Sequence, residues 1–153
     1  MNADRHEPLP QLLARLDAAP WALLALGIPR CPACDLLPAT LHALAAARPG
    51  LAVGIGILAT PQDWALRQTH LWPRGIRVAR ASVPALAVLR HGTLAATRQG
   101  SAPAHVLDRW LDDVIGPAEH PLPPGLTPEE EAVLAAGAPR RVQHLAIRER
   151  RGV

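Results

Sequence analysis

The chain lacks lysine, phenylalanine and tyrosine, and it has only two cysteines among its 153 residues. Without Phe and Tyr, a core must be built from Leu, Ala, Val, Ile and the four Trp. Apolar residues still make up 49% of the chain, which argues against disorder of the whole chain. At this length we expect one compact domain of ordinary size rather than two.

An excess of charge of one sign is also missing, because 16 basic and 13 acidic residues give a net charge of +3. No stripe of Arg alternates with aromatic residues, so the sequence does not predict nucleic-acid binding. The densest basic run lies close to the C-terminus and fits either a solvated tail or a contact for an acidic partner. It consists of Arg140, Arg141, Arg148, Arg150 and Arg151.

Long hydrophobic runs are absent as well. The longest one near the start covers residues 21–28 and is far shorter than the roughly 20 residues of a membrane-spanning helix. Residues 1–10 include Asp4 and Glu7 and lack the charged-then-apolar pattern of a signal peptide. We therefore predict a cytoplasmic protein that does not bind a membrane.

The two cysteines, Cys31 and Cys34, form a C-x-x-C pair. Two cysteines cannot build a disulfide framework, and they supply only half of the ligands of a structural zinc site. No histidine pair stands at a zinc-finger spacing, so we predict no metal. Thiol–disulfide exchange by such a pair needs no organic cofactor, and we predict none. The pair is then either a redox-active dithiol or two small apolar residues of the core.

Hydrophobic patterns predict an order of elements typical of an α/β sandwich with a mixed sheet. The predicted segments are a helix at 9–18, a strand at 21–28, a helix from the dithiol to Pro49, a strand at 51–58, a helix at 60–69, strands at 83–89 and 93–97 around the turn at 90–92, and a helix at 101–115. Pro38 should either bend the second of these helices or mark its first turns. Residues 71–82 give no clear pattern. Trp64, Trp72 and Trp110 are assigned to the core.

Capping signals mark several helix starts. Thr60 followed by Pro61 and Asp63 predicts one helix start, and Ser101 is expected to cap the helix that ends near residue 115. The run Thr-Pro-Glu-Glu at 127–130 predicts a capping box for a further short helix.

The composition changes after residue 116, where prolines become frequent. We predict a domain over residues 1–116, followed by a Pro-rich linker, a short helix and a basic tail over residues 117–153. The second part is expected to be removable without unfolding the first.

The C-x-x-C pair lies between the end of a predicted strand and the start of a predicted helix. Free backbone N–H groups at a helix start favour an anion and therefore a thiolate at Cys31. The neighbouring guanidinium of Arg30 acts in the same direction, so Arg30 is the candidate for lowering the pKa of Cys31.

Three features together resemble the thioredoxin family. The first is the strand at 21–28 leading into Cys-Pro-Ala-Cys, and the second is the segment Ser-Val-Pro-Ala-Leu-Ala-Val-Leu at 82–89, similar to the cis-proline segment of thioredoxins. The third is the His-Gly-Thr turn at 91–93, followed by Gly100 and the last predicted helix. Glutaredoxins share some of these features, but their Gly-Gly-Cys or Gly-Gly-Asp run is missing here.

The resemblance covers roughly residues 10–116 and implies a thioredoxin-like three-layer α/β/α sandwich with a central mixed sheet. It implies thiol–disulfide exchange with protein substrates, with Cys31 attacking and Cys34 resolving, and a recycling reductase or thiol donor as a second partner. It also implies a cis bond before Pro84. The residues expected to contact substrate are Pro32, Ala33, Val83 and Pro84.

The sequence also departs from the thioredoxin pattern. Arg30 replaces a tryptophan, Pro32-Ala33 replaces Gly-Pro, and residues 22–28 contain no counterpart of the family's buried acid, which is thought to help deprotonate the second thiol. Two functions therefore stay open. One is a protein-disulfide oxidoreductase, and the other is a non-enzymatic assembly factor, chaperone or redox sensor that uses the dithiol for partner binding.

Overall fold

A computed structural model describes residues 7–137 of the chain. The helices and strands follow the predicted order, with two helices where one helix was predicted after the dithiol. They are α1 (Leu9–Asp17), β1 (Trp21–Gly27), α2 (Pro32–Asp35), α3 (Leu37–Ala47), β2 (Leu51–Ile57), α4 (Pro61–Leu66), β3 (Ala85–Arg90), β4 (Thr93–Gln99), α5 (Ala104–Val114) and α6 (Pro128–Gly137). Among these residues, none of the helices has the length and apolar character needed to cross a membrane.

The four strands form one mixed sheet in the order β2-β1-β3-β4. Strands β1 and β2 are parallel, with Trp21 opposite Leu51. Strand β3 runs antiparallel to β1, and β4 runs antiparallel to β3. The predicted combination of a parallel β-α-β unit and an antiparallel hairpin is confirmed.

Both faces of the sheet are covered by helices. Successive side chains of β1 point to opposite faces, so this strand contributes apolar side chains to the core on each side. Leu24 and Leu26 pack with α1 and with the segment between β2 and β3. Leu23 and Ala25 pack on the other face with α3 and α5. The predicted three-layer α/β/α sandwich is therefore confirmed.

The helix after the dithiol is interrupted at Leu36, which separates α2 from α3. Pro38 lies in the first turn of α3, where its missing N–H would have no partner within the helix in any case. Pro38 thus marks the first turn of a helix, which was one of the two predicted outcomes.

The predicted cap of α5 by Ser101 is wrong. Helix α5 begins at Ala104 after Pro103, with no cap from a local side chain. The amide of Ala104 instead donates to Oε2 of Glu130 at 3.0 Å, from α6. A carboxylate distant in sequence therefore replaces the local cap, which a pattern along the chain cannot reveal.

The capping box predicted at residues 127–130 is confirmed. The amide of Glu130 donates to Oγ1 of Thr127 at 3.2 Å, and the amide of Thr127 donates to Oε1 of Glu130 at 3.1 Å. Glu130 thus begins its own helix with one oxygen and caps α5 with the other.

The segment after residue 116 contacts the sandwich at several points. The amide of His120 donates to the carbonyl of Ala47 at 3.0 Å, and that of Leu122 donates to Oδ2 of Asp108 at 3.0 Å. The Leu122 side chain packs against the core under α3 and α5. The boundary at 116 stays a prediction, and the basic residues 140–151 lie outside the described residues.

A buried arginine ties the end of α3 to α5. The guanidinium of Arg48, whose residue is 6% exposed, donates to Oδ1 of Asp108 at 3.0 Å and to the carbonyl of Gly116 at 2.7 Å. It also pairs with Asp112. This network holds the point at which the chain leaves α5.

Candidate dithiol site

Cys31 and Cys34 form a disulfide at the start of α2, directly after the loop that follows β1. Their Cα atoms lie 5.1 Å apart, within the usual range for such bonds. Cys31 is the N-cap residue with an extended backbone, and its Sγ accepts a hydrogen bond from the amide of Cys34 at 3.2 Å. The same amide would face a thiolate at Cys31 after reduction.

The two sulfur-bearing residues differ in exposure. Cys31 is half-buried, whereas Cys34 is buried at 6% exposure and belongs to the core on the α3 side of the sheet. A partner can therefore approach Cys31 more readily than Cys34.

Gly27, the last residue of β1, lies directly under the disulfide. A Cβ atom at this position would lie 2.9 Å from Sγ and 3.2 Å from Cβ of Cys34. The sequence argument did not single out Gly27, although its place at the end of the strand before the cysteines was a usable signal.

Gly27→Ala is expected to destabilise the oxidised protein by about 1–3 kcal/mol, because the added methyl group forces Cys34 or β1 to shift. Equilibrium urea unfolding would measure the loss. Gly50→Ala is the matched control, since a Cβ at Gly50 meets nothing within 4 Å. Equal effects of the two variants would contradict the steric explanation.

The proline segment predicted to face the dithiol lies at the same end of the sheet. The Val83–Pro84 bond is cis, as predicted. Leu26 pairs with Ala85, so extending this antiparallel register by one residue places Pro84 opposite Gly27. Val83 packs against the cores on both faces of the sheet.

Arg30 and the residues between the cysteines flank Cys31 along the chain. Arg30 is exposed and has a left-handed backbone at φ 58°, which is uncommon for residues other than glycine. Pro32 and Ala33 are both half-buried. The structure thus brings Arg30, Pro32 and Ala33 to one end of the sheet with Val83 and Pro84.

A groove of about 360 Å³ runs beside the buried cysteine. Asp35 lies at this groove together with Cys34 and Arg30, and the remaining lining is largely apolar. The sequence argument missed Asp35, although it directly follows the motif. It is the acidic side chain of this groove and is exposed to solvent.

The strand under the dithiol offers no proton acceptor. Leu23 and Ala25 are the fully buried β1 residues that share a core with Cys34, and both are apolar. The strand therefore has no acidic side chain on the face against which Cys34 packs, as its sequence indicated.

The fold is similar to that of thioredoxins of known structure. Thioredoxin f2 of Chlamydomonas reinhardtii aligns with a TM-score of 0.55 at 16% identity, over 73% of this chain and 96% of that one. Desulfothioredoxin of Desulfovibrio vulgaris Hildenborough, in its reduced form, aligns with a TM-score of 0.52 at 20% identity, over 67% and 88%. Oxidised thioredoxin of Plasmodium falciparum gives 0.52 at 10% identity, over 68% and 89%.

No protein-family model matches the sequence, and no curated protein matches it significantly. The fold and the disulfide at C-x-x-C spacing nevertheless define the class of the protein. In its architecture, the chain is thioredoxin-like. At 10–20% identity, this likeness establishes the fold and leaves substrates and partners open.

Proposed function

We propose that this protein is a thiol–disulfide oxidoreductase that exchanges disulfides with protein substrates through Cys31 and Cys34. One observation carries the proposal. A disulfide joins a half-buried cysteine at a helix start to a buried one, at the sheet end that also holds the cis-proline segment. A reductase or thiol donor must return the disulfide to the dithiol after each cycle.

In the first step, the Cys31 thiolate of the reduced protein attacks one sulfur of a substrate disulfide. A mixed disulfide forms and the other substrate sulfur leaves as a thiolate. In the disulfide form, the amide of Cys34 donates to Sγ of Cys31. After reduction, the same hydrogen bond would stabilise the attacking thiolate.

In the second step, Cys34 loses its proton and attacks Sγ of Cys31. The Cys31–Cys34 disulfide forms, and the second substrate sulfur leaves as a thiolate, so two electrons pass to the substrate. Because Leu23 and Ala25 offer no acceptor, the proton of Cys34 would leave through the groove where Asp35 lies.

The residues around Cys31 would position the substrate. Val83 and Pro84 would lie along a bound peptide, and Pro32 and Ala33 would contact it on the other side of the disulfide. This arrangement is supported by the register that places Pro84 opposite Gly27.

Reduction of insulin is the direct test. The protein should accelerate precipitation of insulin chains with dithiothreitol as the reductant, and Cys31→Ser should abolish the acceleration. A rate equal to that with dithiothreitol alone would reject the enzymatic function.

The second candidate function is a non-enzymatic assembly factor, chaperone or redox sensor that uses the dithiol for binding. The apolar β1 residues beside Cys34 favour this alternative, because their side chains cannot accept the proton of the Cys34 thiol. A Cys31–Cys34 couple that oxidises reversibly without insulin turnover would support it. A cytoplasmic location stays a prediction from the sequence.

Arg30→Gln is expected to slow iodoacetamide alkylation of the reduced protein roughly twofold at neutral pH and low salt, because a positive charge beside the Cys31 thiolate is lost. The rate would be followed by mass spectrometry. Arg109→Gln, which removes an exposed arginine from α5, is the control. A similar slowing in both variants, or one that persists in high salt, would contradict a role for Arg30.

A further inference from the structure

Arginine side chains stack on two tryptophans in the segment between β2 and β3. The guanidinium carbon of Arg67 lies 4.7 Å from the ring centre of Trp64 and 5.8 Å from that of Trp72. Arg77 lies 5.2 Å from the Trp72 ring, and Arg80 lies 5.0 Å from the Trp64 ring. We call these five residues the Arg–Trp ladder.

The positive charges of the ladder have no carboxylate partner within residues 7–137, where the ion pairs involve other arginines. The nearby Arg74 differs, because it pairs with Asp17 at 2.5 Å. The adjacent acid, Asp63, is directed at the amides of Ala59 and Thr60, each at 2.9 Å.

The ladder is held in place by its own contacts. Arg67 donates through Nε to the carbonyl of Trp64 at 3.1 Å and through Nη1 to that of Val78 at 3.0 Å. Arg77 and Arg80 are exposed, and stacking on a ring leaves the N–H groups at the edge of a guanidinium able to donate. Such groups bind carboxylates in a bidentate manner, and side chains that are already ordered lose less entropy on binding.

We propose that the Arg–Trp ladder is a docking surface for an acidic segment of a protein partner. Charge complementarity identifies this occupant, since three guanidinium groups share two tryptophan rings and have no carboxylate partner among residues 7–137. The proposal goes beyond the dithiol chemistry and does not depend on it.

A protein segment fits the ladder better than a nucleic acid does. Single-stranded nucleic acids bind by stacking bases on free aromatic rings, but Trp64 and Trp72 each already carry two guanidinium groups. The ends of this chain are poor occupants too. Residues 1–6 and 138–153 together contain two acidic residues against six arginines.

The test is binding of a short fluorescein-labelled peptide of alternating Glu and Asp to the full chain, followed by fluorescence anisotropy. The peptide has no cysteine, so binding is measured without disulfide exchange, and the Cys31→Ser variant should bind it equally well. Saturable binding at low salt is expected, with affinity falling about tenfold by 0.3 M salt. Tryptophan fluorescence should change in the same titration.

The double variant Arg77→Gln with Arg80→Gln should weaken the affinity about tenfold. Arg77→Gln alone should weaken it about threefold, and it provides the test if the double variant does not fold. Arg109→Gln should have little effect, because α5 packs on the opposite face of the sheet. The proposal is overturned by no saturable binding of the acidic peptide, by unchanged affinity in the Arg77 variants, or by equally tight binding of a matched Gln–Asn peptide. Tighter binding of an oligothymidylate of equal length would replace it with a nucleic-acid surface.

Discussion

Cys34→Ser should leave a stable mixed disulfide between Cys31 and protein partners, whereas Cys31→Ser should leave almost none. The reason is the difference in position of the two sulfurs. Cys31 is half-buried and accepts the amide hydrogen of Cys34 at 3.2 Å, which favours its thiolate, while Cys34 is 6% exposed. Without Cys34, the second exchange step cannot release the partner.

The measurement is a non-reducing gel of cell lysate quenched with an alkylating agent, probed for the protein and repeated after reduction. We expect at least about tenfold more trapped complex with Cys34→Ser than with Cys31→Ser. The variant lacking both cysteines gives the background. Equal trapping by the two single variants would show that the cysteines are equivalent, and trapping by neither would show that the pair does not exchange disulfides with proteins.

The parts of the site that sequence predicts well are those set by neighbours along the chain. A buried strand followed by C-x-x-C and a helical pattern places Cys31 at a helix start, because a strand end and a helix start are both local features. The cis-proline segment could be identified for a different reason. Residues 82–89 are similar to the cis-proline segment of thioredoxins, whereas the residues themselves do not specify a cis bond.

The parts that sequence reasoning missed depend on how side chains pack in three dimensions, even where their positions are close in the chain. Gly27 is important because a Cβ atom at this position would lie 2.9 Å from Sγ of Cys34. Asp35 is important because it lines the groove beside Cys34. Residues 71–82 gave no pattern since they contain two three-residue 3₁₀ turns, Trp72–Arg74 and Arg80–Ser82, instead of a longer helix or strand. None of these arrangements has a periodicity that a sequence can display.

The same reasoning decides how the segment after residue 116 is understood. Frequent prolines and a separate capping box predicted a removable part, because both are local signals. In the structure, Glu130 is fully buried, and its Oε2 accepts from Oγ1 of Thr40 and from the amide of Ala104, both at 3.0 Å. One side chain of α6 thus connects α3 to the start of α5.

Truncation after Gly116 is therefore expected to destabilise the protein by about 3–5 kcal/mol, enough to unfold a marginally stable domain. It removes the cap of α5, exposes the apolar surface under Leu122, and leaves the buried hydroxyl of Thr40 without its acceptor. Circular dichroism during urea unfolding would measure the loss. A truncated chain as stable as the full one would support a separable domain of residues 1–116.

A pair of point variants separates the contact of Glu130 from the simple loss of chain length. Glu130→Ala should destabilise the protein by about 2–3 kcal/mol, because it removes acceptors from three donors at a buried position. Glu131→Ala changes the neighbouring, exposed carboxylate in the same helix and should change stability by less than about 0.5 kcal/mol. Truncation after Gly137 keeps every contact described above and serves as the control for length. If Glu130→Ala and Glu131→Ala behaved alike, the segment would not stabilise the sandwich through Glu130.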